Sequence, residues 1–106
     1  MLVLTRLKGQ SVTVRHSGAE LTLRYKRSTN GTAEYEIYGD VEAFELRGFI
    51  NFNSNPISAI ISQDTHLVVS RGGQFLRVGV NYIRPERGSF FFDAPMSFHL
   101  RRDDLD

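Results

Sequence analysis

Hydrophobic and polar residues alternate one by one along much of the chain, whereas the longer spacing of an amphipathic helix is scarce. This alternation, together with short apolar runs between turn residues, predicts strands at residues 1–6, 11–15, 20–26, 34–38, 66–69, 74–80, 90–92 and 96–102. Residues 41–50 fit a strand and a short helix equally well, and residues 57–61 are too few to assign. Many short strands joined by glycine-containing turns indicate an all-β fold, here a small antiparallel sheet or barrel.

The most specific turn signal is Asn30-Gly31, which separates a basic strand (20–27) from an acidic strand (32–38). Asn-Gly between alternating segments is the strongest short signal of a β-hairpin. Pairing these strands would set opposite charges across from each other, at about 0.2–1 kcal/mol for each pair. The sequence therefore predicts a hairpin that partly neutralises its own charge.

The first and last strands differ in character. Residues 1–4 are an apolar run, which predicts a strand buried on both faces. In the last strand, Phe98, Leu100 and Arg102 fall on one face, and the residues between them fall on the other.

The composition indicates one domain with a modest core, since the chain has 106 residues of which 41% are hydrophobic. The absence of cysteine excludes disulfides, thiol nucleophiles and cysteine-based zinc sites. No apolar run reaches the roughly 18 residues of a membrane-spanning helix. Arg6 interrupts the first apolar run before the core of a signal peptide could form, so we expect a cytoplasmic protein that does not bind a membrane.

The net charge of +1 conceals an uneven distribution of charge. Residues 1–30 hold six bases and one acid, residues 31–70 hold one base and six acids, residues 71–102 hold six bases and two acids, and the tail 103–106 holds three acids. Eleven of the thirteen bases are arginine, whose planar fork suits phosphates and base edges. Two basic ends around an acidic middle suggest a polyanion site built from distant segments. On charge alone, the preferred interpretation is a surface on which the middle neutralises the ends through salt bridges.

Signatures of catalysis and of cofactor binding are absent from the sequence. It has no phosphate-binding glycine loop, no dinucleotide fingerprint and no serine in a GxSxG setting. His16, His66 and His99 stand alone rather than in ligand pairs, so no metal site is expected. Asp103-Asp104 could imitate a catalytic carboxylate pair, but acids just after a strand more often cap a short helix. We therefore expect a protein that is not an enzyme and has no cofactor.

The aromatic run Phe90-Phe91-Phe92 has two interpretations. Exposed rings on a sheet can stack on the bases of single-stranded nucleic acid. Aromatic runs in β-proteins more often belong to a core or to an oligomer interface, and this is the prediction here.

Three segments are familiar when they are taken in order along the chain. They are MLVLTRLKGQSVTV at 1–14, QFLRVGVN at 74–81 and APMSFHLRRDDL at 94–105. In this order they resemble the first two strands, the fourth strand, and the fifth strand with the start of the following helix, in the carbon storage regulator (CsrA/RsmA) family. That family typically opens MLILTRR-x-GE and later carries QVRIGVNAP. The matches cover somewhat more than a third of the chain.

The resemblance implies a single RNA-binding domain over residues 1–106, longer than is usual in the family. Leu7 stands where the family has a second binding arginine, and the C-terminal helix would be reduced or absent. An alternative alignment uses the hairpin at 20–38 as the third and fourth strands. The implied division is a core of five strands at about 1–15 and 65–106, with an inserted β-rich segment and insertions at about 16–64 and 82–93.

Members of this family are intertwined homodimers, in which the first strand of one subunit lies beside the fifth strand of the other. They bind GGA-containing RNA loops, often at a ribosome-binding site, and so repress translation. The resemblance therefore implies an RNA-binding regulator of translation that acts on a messenger leader or a small RNA. The implied RNA-binding residues are Leu4, Thr5, Arg6, Ala94, Pro95, Leu100, Arg101 and Arg102.

Two other functions stay open. The acidic segment 31–70, which contains Phe44, Phe49 and Phe52, could dock a protein partner or cover the basic site as an RNA mimic. The chain could also form a heterodimer with a standard family member and alter its choice of RNA.

Overall fold

Strands make up most of residues 1–103, the part of the chain that this computed structural model describes. The strands are β1 (Leu2–Leu7), β2 (Ser11–His16), β3 (Ala19–Thr29), β4 (Thr32–Gly39), β5 (Glu45–Arg47), β6 (Phe49–Asn51), β7 (Ile57–Ile61), β8 (Leu67–Arg71), β9 (Gln74–Ile83), β10 (Arg87–Asp93) and β11 (His99–Asp103). The one helical turn in this range is a 3-10 helix at Val41–Ala43. The predicted all-β class is thus confirmed. The predicted start of a C-terminal helix at 104–105 lies outside the described residues.

The strands form two antiparallel sheets that share one core. The five-stranded sheet has the order β1-β10-β9-β8-β5, and the six-stranded sheet has the order β11-β2-β3-β4-β7-β6. Alternate residues of both sheets point inward, which explains the period-two pattern of the sequence. At the centre of the core, the Phe90 ring lies 5.1 Å from both the Tyr25 ring and the Tyr35 ring.

One long side of the molecule is closed and the opposite side is open. On the closed side, β5 and β6 belong to one stretch of chain that crosses between the sheets at Gly48. Gly48 has a φ of +139°, and a Cβ there would lie 2.8 Å from the backbone oxygen of His66, so the crossing requires glycine. On the open side, β1 and β11 are the outermost strands of the two sheets. The ambiguous segment 41–50 is therefore a helical turn followed by a strand that changes sheets.

The predicted hairpin between β3 and β4 is confirmed. Asn30 and Gly31 form its turn with φ values of +51° and +79°, as a type I′ turn requires. Across the strands, Arg24 pairs with Glu36 at 3.1 Å. Near the turn, Arg27 pairs with Glu34 at 2.9 Å. The hairpin neutralises much of its own charge, as the sequence predicts.

The prediction that the first strand is buried on both faces is wrong for the single chain. Leu4 and Arg6 are buried, whereas Leu2, Val3 and Leu7 are between 38% and 49% exposed. The reason is topological: β1 ends the five-stranded sheet, and no other part of residues 1–103 covers its outer face.

The two segments interpreted as insertions are integral to both sheets and supply six of the eleven strands in residues 1–103. Residues 16–64 supply β3, β4, β6 and β7 to the six-stranded sheet and β5 to the five-stranded sheet. Residues 82–93 supply the end of β9 and the whole of β10, which lies between β1 and β9. In the aromatic run, Phe90 and Phe92 belong to the core as predicted, but Phe91 points to the outer face.

Candidate nucleic-acid interface

The predicted RNA-binding residues of the first and last strands lie on the two outermost strands of the open side, which we call the open seam. β1 carries Leu4, Thr5 and Arg6, and β11 carries Leu100, Arg101 and Arg102. The end of β11 lies next to the beginning of β2, since Asp103 is opposite Ser11. The second half of β1 leads through a tight turn into the same part of β2. The second half of β1 and the end of β11 therefore lie at the same end of the open seam.

Arg6 lies inside the molecule rather than on its surface. Its side chain is on the same face as Leu4, and only 3% of the residue is exposed. The guanidinium donates hydrogen bonds to the backbone oxygen of Thr5 at 2.9 Å and to that of Ser11 at 3.4 Å. Arg6 thus connects β1 to the beginning of β2, while Thr5 points outward.

Asp103 fastens β11 to β2. Its carboxylate accepts hydrogen bonds from Thr13 Oγ1, from Ser11 Oγ at 3.5 Å and from Arg101 Nε at 2.9 Å. Burial alone would raise the pKa of the Asp103 carboxyl, but the hydrogen bonds from Thr13 and Arg101 hold it below its ordinary value. The interpretation of Asp103 as a helix cap is wrong, because the residue belongs to a strand; Asp104 lies outside the described residues.

The two arginines of β11 point to different faces, as the alternation predicts. Arg101 is opposite Thr13 on the outer face of the six-stranded sheet, where its charge is already paired with Asp103. Arg102 is opposite the inward residue Val12, but it is exposed because it lies at the open seam. Among residues 1–103, no carboxylate forms an ion pair with Arg102. Arg102 is therefore the predicted site residue with the most accessible unpaired charge.

Leu100 and the β11 backbone border a shallow groove on the outer face of the six-stranded sheet. Its lining residues are Thr13, Arg15, Glu20, His99, Leu100 and Arg101. Arg15 and Glu20 form an ion pair at 2.7 Å, so the groove presents mixed charge.

Ala94 and Pro95 lie at the other end of the molecule from Arg102. They follow β10, whose last paired residues are opposite the beginning of β1. They line a second shallow groove, together with Val68, Phe75, Arg77 and Asp93. The structure therefore groups the candidate residues of the first and last strands, and it leaves Ala94 and Pro95 apart from them.

The charges that the sequence separates into blocks are partly paired in the fold. Glu34 and Glu36 neutralise three bases of β3, so for these bases the salt-bridge alternative is the correct one. Within residues 1–103, the bases that pair with no carboxylate include Lys8, Arg84, Arg87 and Arg102. The first three lie at the same end as the second half of β1, because Leu7 is opposite Arg87 and Arg84 closes the β9–β10 turn.

Sequence analysis did not identify Lys8, Arg84 and Arg87 as candidates. Their only sequence signal is the turn composition around residues 8–10 and 84–88, which does not show that the turns meet. No protein-family model, curated protein or solved structure matches the chain. Within residues 1–103, no helix is long and apolar enough to cross a membrane, and no three potential metal ligands lie together.

Proposed function

We propose that this protein binds GGA-containing RNA loops near ribosome-binding sites and regulates translation. The resemblance of residues 1–14, 74–81 and 94–105 to the carbon storage regulator family supports the proposal. Loops of RNA expose unstacked bases, which arginine and backbone groups can bind.

The observation that carries the proposal is the position of Arg102 at the open seam. Its exposed guanidinium lies on an outermost strand, beside backbone groups that no strand of residues 1–103 pairs on that side. A guanidinium can donate two parallel hydrogen bonds to guanine or to a phosphate. A strand edge adds backbone donors and acceptors, which suits the bases of a loop.

We propose that the binding unit is a homodimer. β1 exposes Val3 and Leu7 and pairs with another strand on one side only. An apolar outermost strand without lysine or proline is poorly protected against pairing with another chain. A two-fold symmetric pair would then present two equivalent RNA sites.

The test is to measure fluorescence anisotropy with a hairpin RNA whose loop contains GGA and with the same hairpin carrying CCA. Each wrong base in a specific site typically costs about 1–3 kcal/mol, so we expect the CCA hairpin to bind about tenfold more weakly or worse. Equal affinity for the two hairpins would refute the proposal.

Arg102→Ala should cost about 1–3 kcal/mol of binding free energy if the guanidinium contacts a base. Arg47→Ala is the matched control, because Arg47 is exposed on the closed side and is already paired with Glu45 at 2.6 Å. A loss with both variants, or with neither, would remove Arg102 from the site. Arg6→Ala is less informative, because it would also disturb the contact between β1 and β2.

A second candidate function is the docking of a protein partner by the acidic segment. Phe49 and Phe52 are 68% and 60% exposed, whereas Phe44 is buried. If this segment covers the RNA site through a partner or by itself, replacing both exposed rings by serine should increase RNA binding. Under the main proposal, the replacement leaves RNA binding unchanged. A heterodimer with a standard family member would be detected by co-expression and mass measurement of the complex.

A further inference from the structure

The outer face of the five-stranded sheet carries outward side chains in three neighbouring rows. Cross-strand register sets the three rows. Starting from the β1–β2 turn, they are Leu7 with Arg87 and Arg84, then Thr5 with Ser89 and Tyr82, then Val3 with Phe91 and Gly79. We call these rows the aromatic face.

Two aromatic rings of this face pack against its backbone or its arginine. A Cβ on Gly79 would collide with the Phe91 ring, so the ring lies directly over the β9 backbone. The His66 and Phe91 rings are perpendicular, with their centroids 5.2 Å apart. In the next row, the Arg84 guanidinium lies 5.1 Å from the centre of the Tyr82 ring, which is 36% exposed. The face thus offers planar groups on which other planar groups can stack.

Positive charge without a carboxylate partner borders the aromatic face at one end, whereas Arg77 beyond the other end is paired with Asp93 at 3.3 Å. Lys8, Arg84 and Arg87 lie at the first end, and none of them pairs with a carboxylate of the described part of the chain. The middle row adds the hydroxyl groups of Thr5 and Tyr82, whereas the buried Ser89 hydroxyl accepts a hydrogen bond from Asn81 at 3.3 Å. Cations beside exposed rings complement the phosphates and bases of a single strand, because phosphates need charge and every base has a face that stacks.

The outer face of the six-stranded sheet lacks this combination. Its bases are neutralised across the strands, as in the pairs Arg15–Glu20 and Arg24–Glu36. Its exposed ring Phe49 is opposite Ile60, which in turn is opposite Glu34. An acidic neighbour repels phosphate, so the two faces differ in what they can bind.

We infer that the aromatic face binds single-stranded RNA that flanks a recognised loop, with bases stacked on Tyr82 and Phe91 and phosphates near Lys8 and Arg87. The inference rests on RNA being the ligand of the proposed function. Arg102 lies at the same end of the molecule as the basic row, so one RNA can pass from the open seam onto this face. Discrimination of GGA belongs to the seam, and the aromatic face contributes affinity that is independent of sequence.

The experiment compares a GGA-loop hairpin with the same hairpin carrying a single-stranded uridine extension that contains one 2-aminopurine. The extension should increase the affinity of the unchanged protein and quench the fluorescence of the 2-aminopurine as it stacks. Tyr82→Ala should remove the quenching and weaken binding of the extended RNA about fivefold to a hundredfold, without changing binding of the plain hairpin. Tyr82→Phe keeps the ring and should behave like the unchanged protein.

Phe49→Ala is the control, since it removes an exposed ring from the other sheet, where Phe49 is 68% exposed against 36% for Tyr82. Arg87→Ala should reduce the slope of log affinity against log salt by about 0.7 for the extended RNA, as expected for one lost phosphate contact to a single strand. The slope of the Phe49→Ala variant should not change.

The outcomes separate this inference from the proposed function. If the plain hairpin shows GGA discrimination but the extension adds no affinity, RNA binding by the aromatic face is refuted and RNA binding at the open seam is supported. If the extension binds through Tyr82 while the GGA and CCA loops bind equally, GGA recognition at the open seam is refuted and RNA binding by the aromatic face is supported. If Tyr82→Ala changes the mass of the protein assembly instead of its RNA binding, a second chain occupies this face and the inference is overturned.

Discussion

Replacing Tyr35 by phenylalanine should stabilise the protein. Tyr35 is 1% exposed, and its hydroxyl has no hydrogen-bond partner among residues 1–103. Its ring packs 5.7 Å from Tyr25 and edge-on to Phe90, so the apolar part of the side chain already fills its place. A buried hydroxyl that has lost water without gaining a partner costs about 1–3 kcal/mol. Tyr35→Phe removes this cost and retains the ring, so we expect a gain of about 1 kcal/mol.

The gain should be visible in two measurements. Urea unfolding should show a higher midpoint with an unchanged slope, and thermal unfolding should shift upward by about 4–8 °C for each kcal/mol. A further test is the pH dependence of stability in alkaline solution. Burial raises the pKa of the Tyr35 phenol well above 10.0, and the nearby Tyr25 raises it further. Because the unfolded chain loses this proton first, the stability of the unchanged protein falls as pH rises above 10.0, and Tyr35→Phe should fall less steeply.

Tyr38→Phe provides the control. The Tyr38 hydroxyl donates a hydrogen bond to Glu36 Oε1 at 3.0 Å near the surface, so its removal should cost up to about 1.5 kcal/mol. The two substitutions delete the same atom from the same strand and are expected to have opposite signs. If Tyr35→Phe destabilises the protein as much as Tyr38→Phe, the Tyr35 hydroxyl has a stabilising partner and the reasoning fails.

Three further changes test the contacts that shape the site. Asp103→Asn should make the stability of the fold less sensitive to acid. The lowered pKa of Asp103 gives stability that is present above pH 3.8 and is lost as pH falls through the folded pKa. Equal midpoints of acid unfolding by circular dichroism for the two proteins would contradict this role. Arg71→Lys should lower the free energy of unfolding in urea by about 1–3 kcal/mol. The Arg71 guanidinium donates hydrogen bonds to three backbone oxygens at 3.2–3.3 Å, and an ammonium group cannot reach all three. An unchanged free energy of unfolding would show that these hydrogen bonds do not stabilise the fold. Gly39→Ala should destabilise more than Gly18→Ala: both have positive φ, but a Cβ at Gly39 would lie 2.6 Å from the Glu20 backbone oxygen and a Cβ at Gly18 meets nothing within 4 Å. Equal losses of unfolding free energy would show that the strain of a positive φ determines the loss and that the contact with Glu20 adds nothing.

The three consecutive strands β2, β3 and β4 are the part of the fold that the sequence predicts best. β2, β3 and β4 each bury one face, so their hydrophobic residues alternate with polar ones, and Asn30-Gly31 fixes the register between β3 and β4. β5 and β6 have only three residues each, too few to show a period. Their assignment depends on the chain crossing between sheets at Gly48, which only the tertiary structure reveals.

The candidate site was predictable where it depends on local alternation. Period two places Arg102 on the face of Leu100, and the register confirms it. In β1, the same alternation places Arg6 on the face of the buried Leu4. This shared face is the signal in the sequence that Arg6 is buried. The basic row was not predictable, because Lys8 and Arg87 meet only through pairing of strands that lie far apart in the sequence.

The net charge of +1 has a physical consequence once the pairs are known. Acidic residues of β4 are fixed opposite bases of β3, so that hairpin presents alternating charge and contributes little field at a distance. The bases that remain unpaired within residues 1–103 gather near the end where β1 turns into β2 and β11 finishes. Among the described residues at this end, the unpaired bases Lys8, Arg84, Arg87 and Arg102 outnumber the exposed acid Glu86. A polyanion would be drawn to the end where Arg102 and the basic row of the aromatic face adjoin, so salt should weaken the first encounter at both sites together.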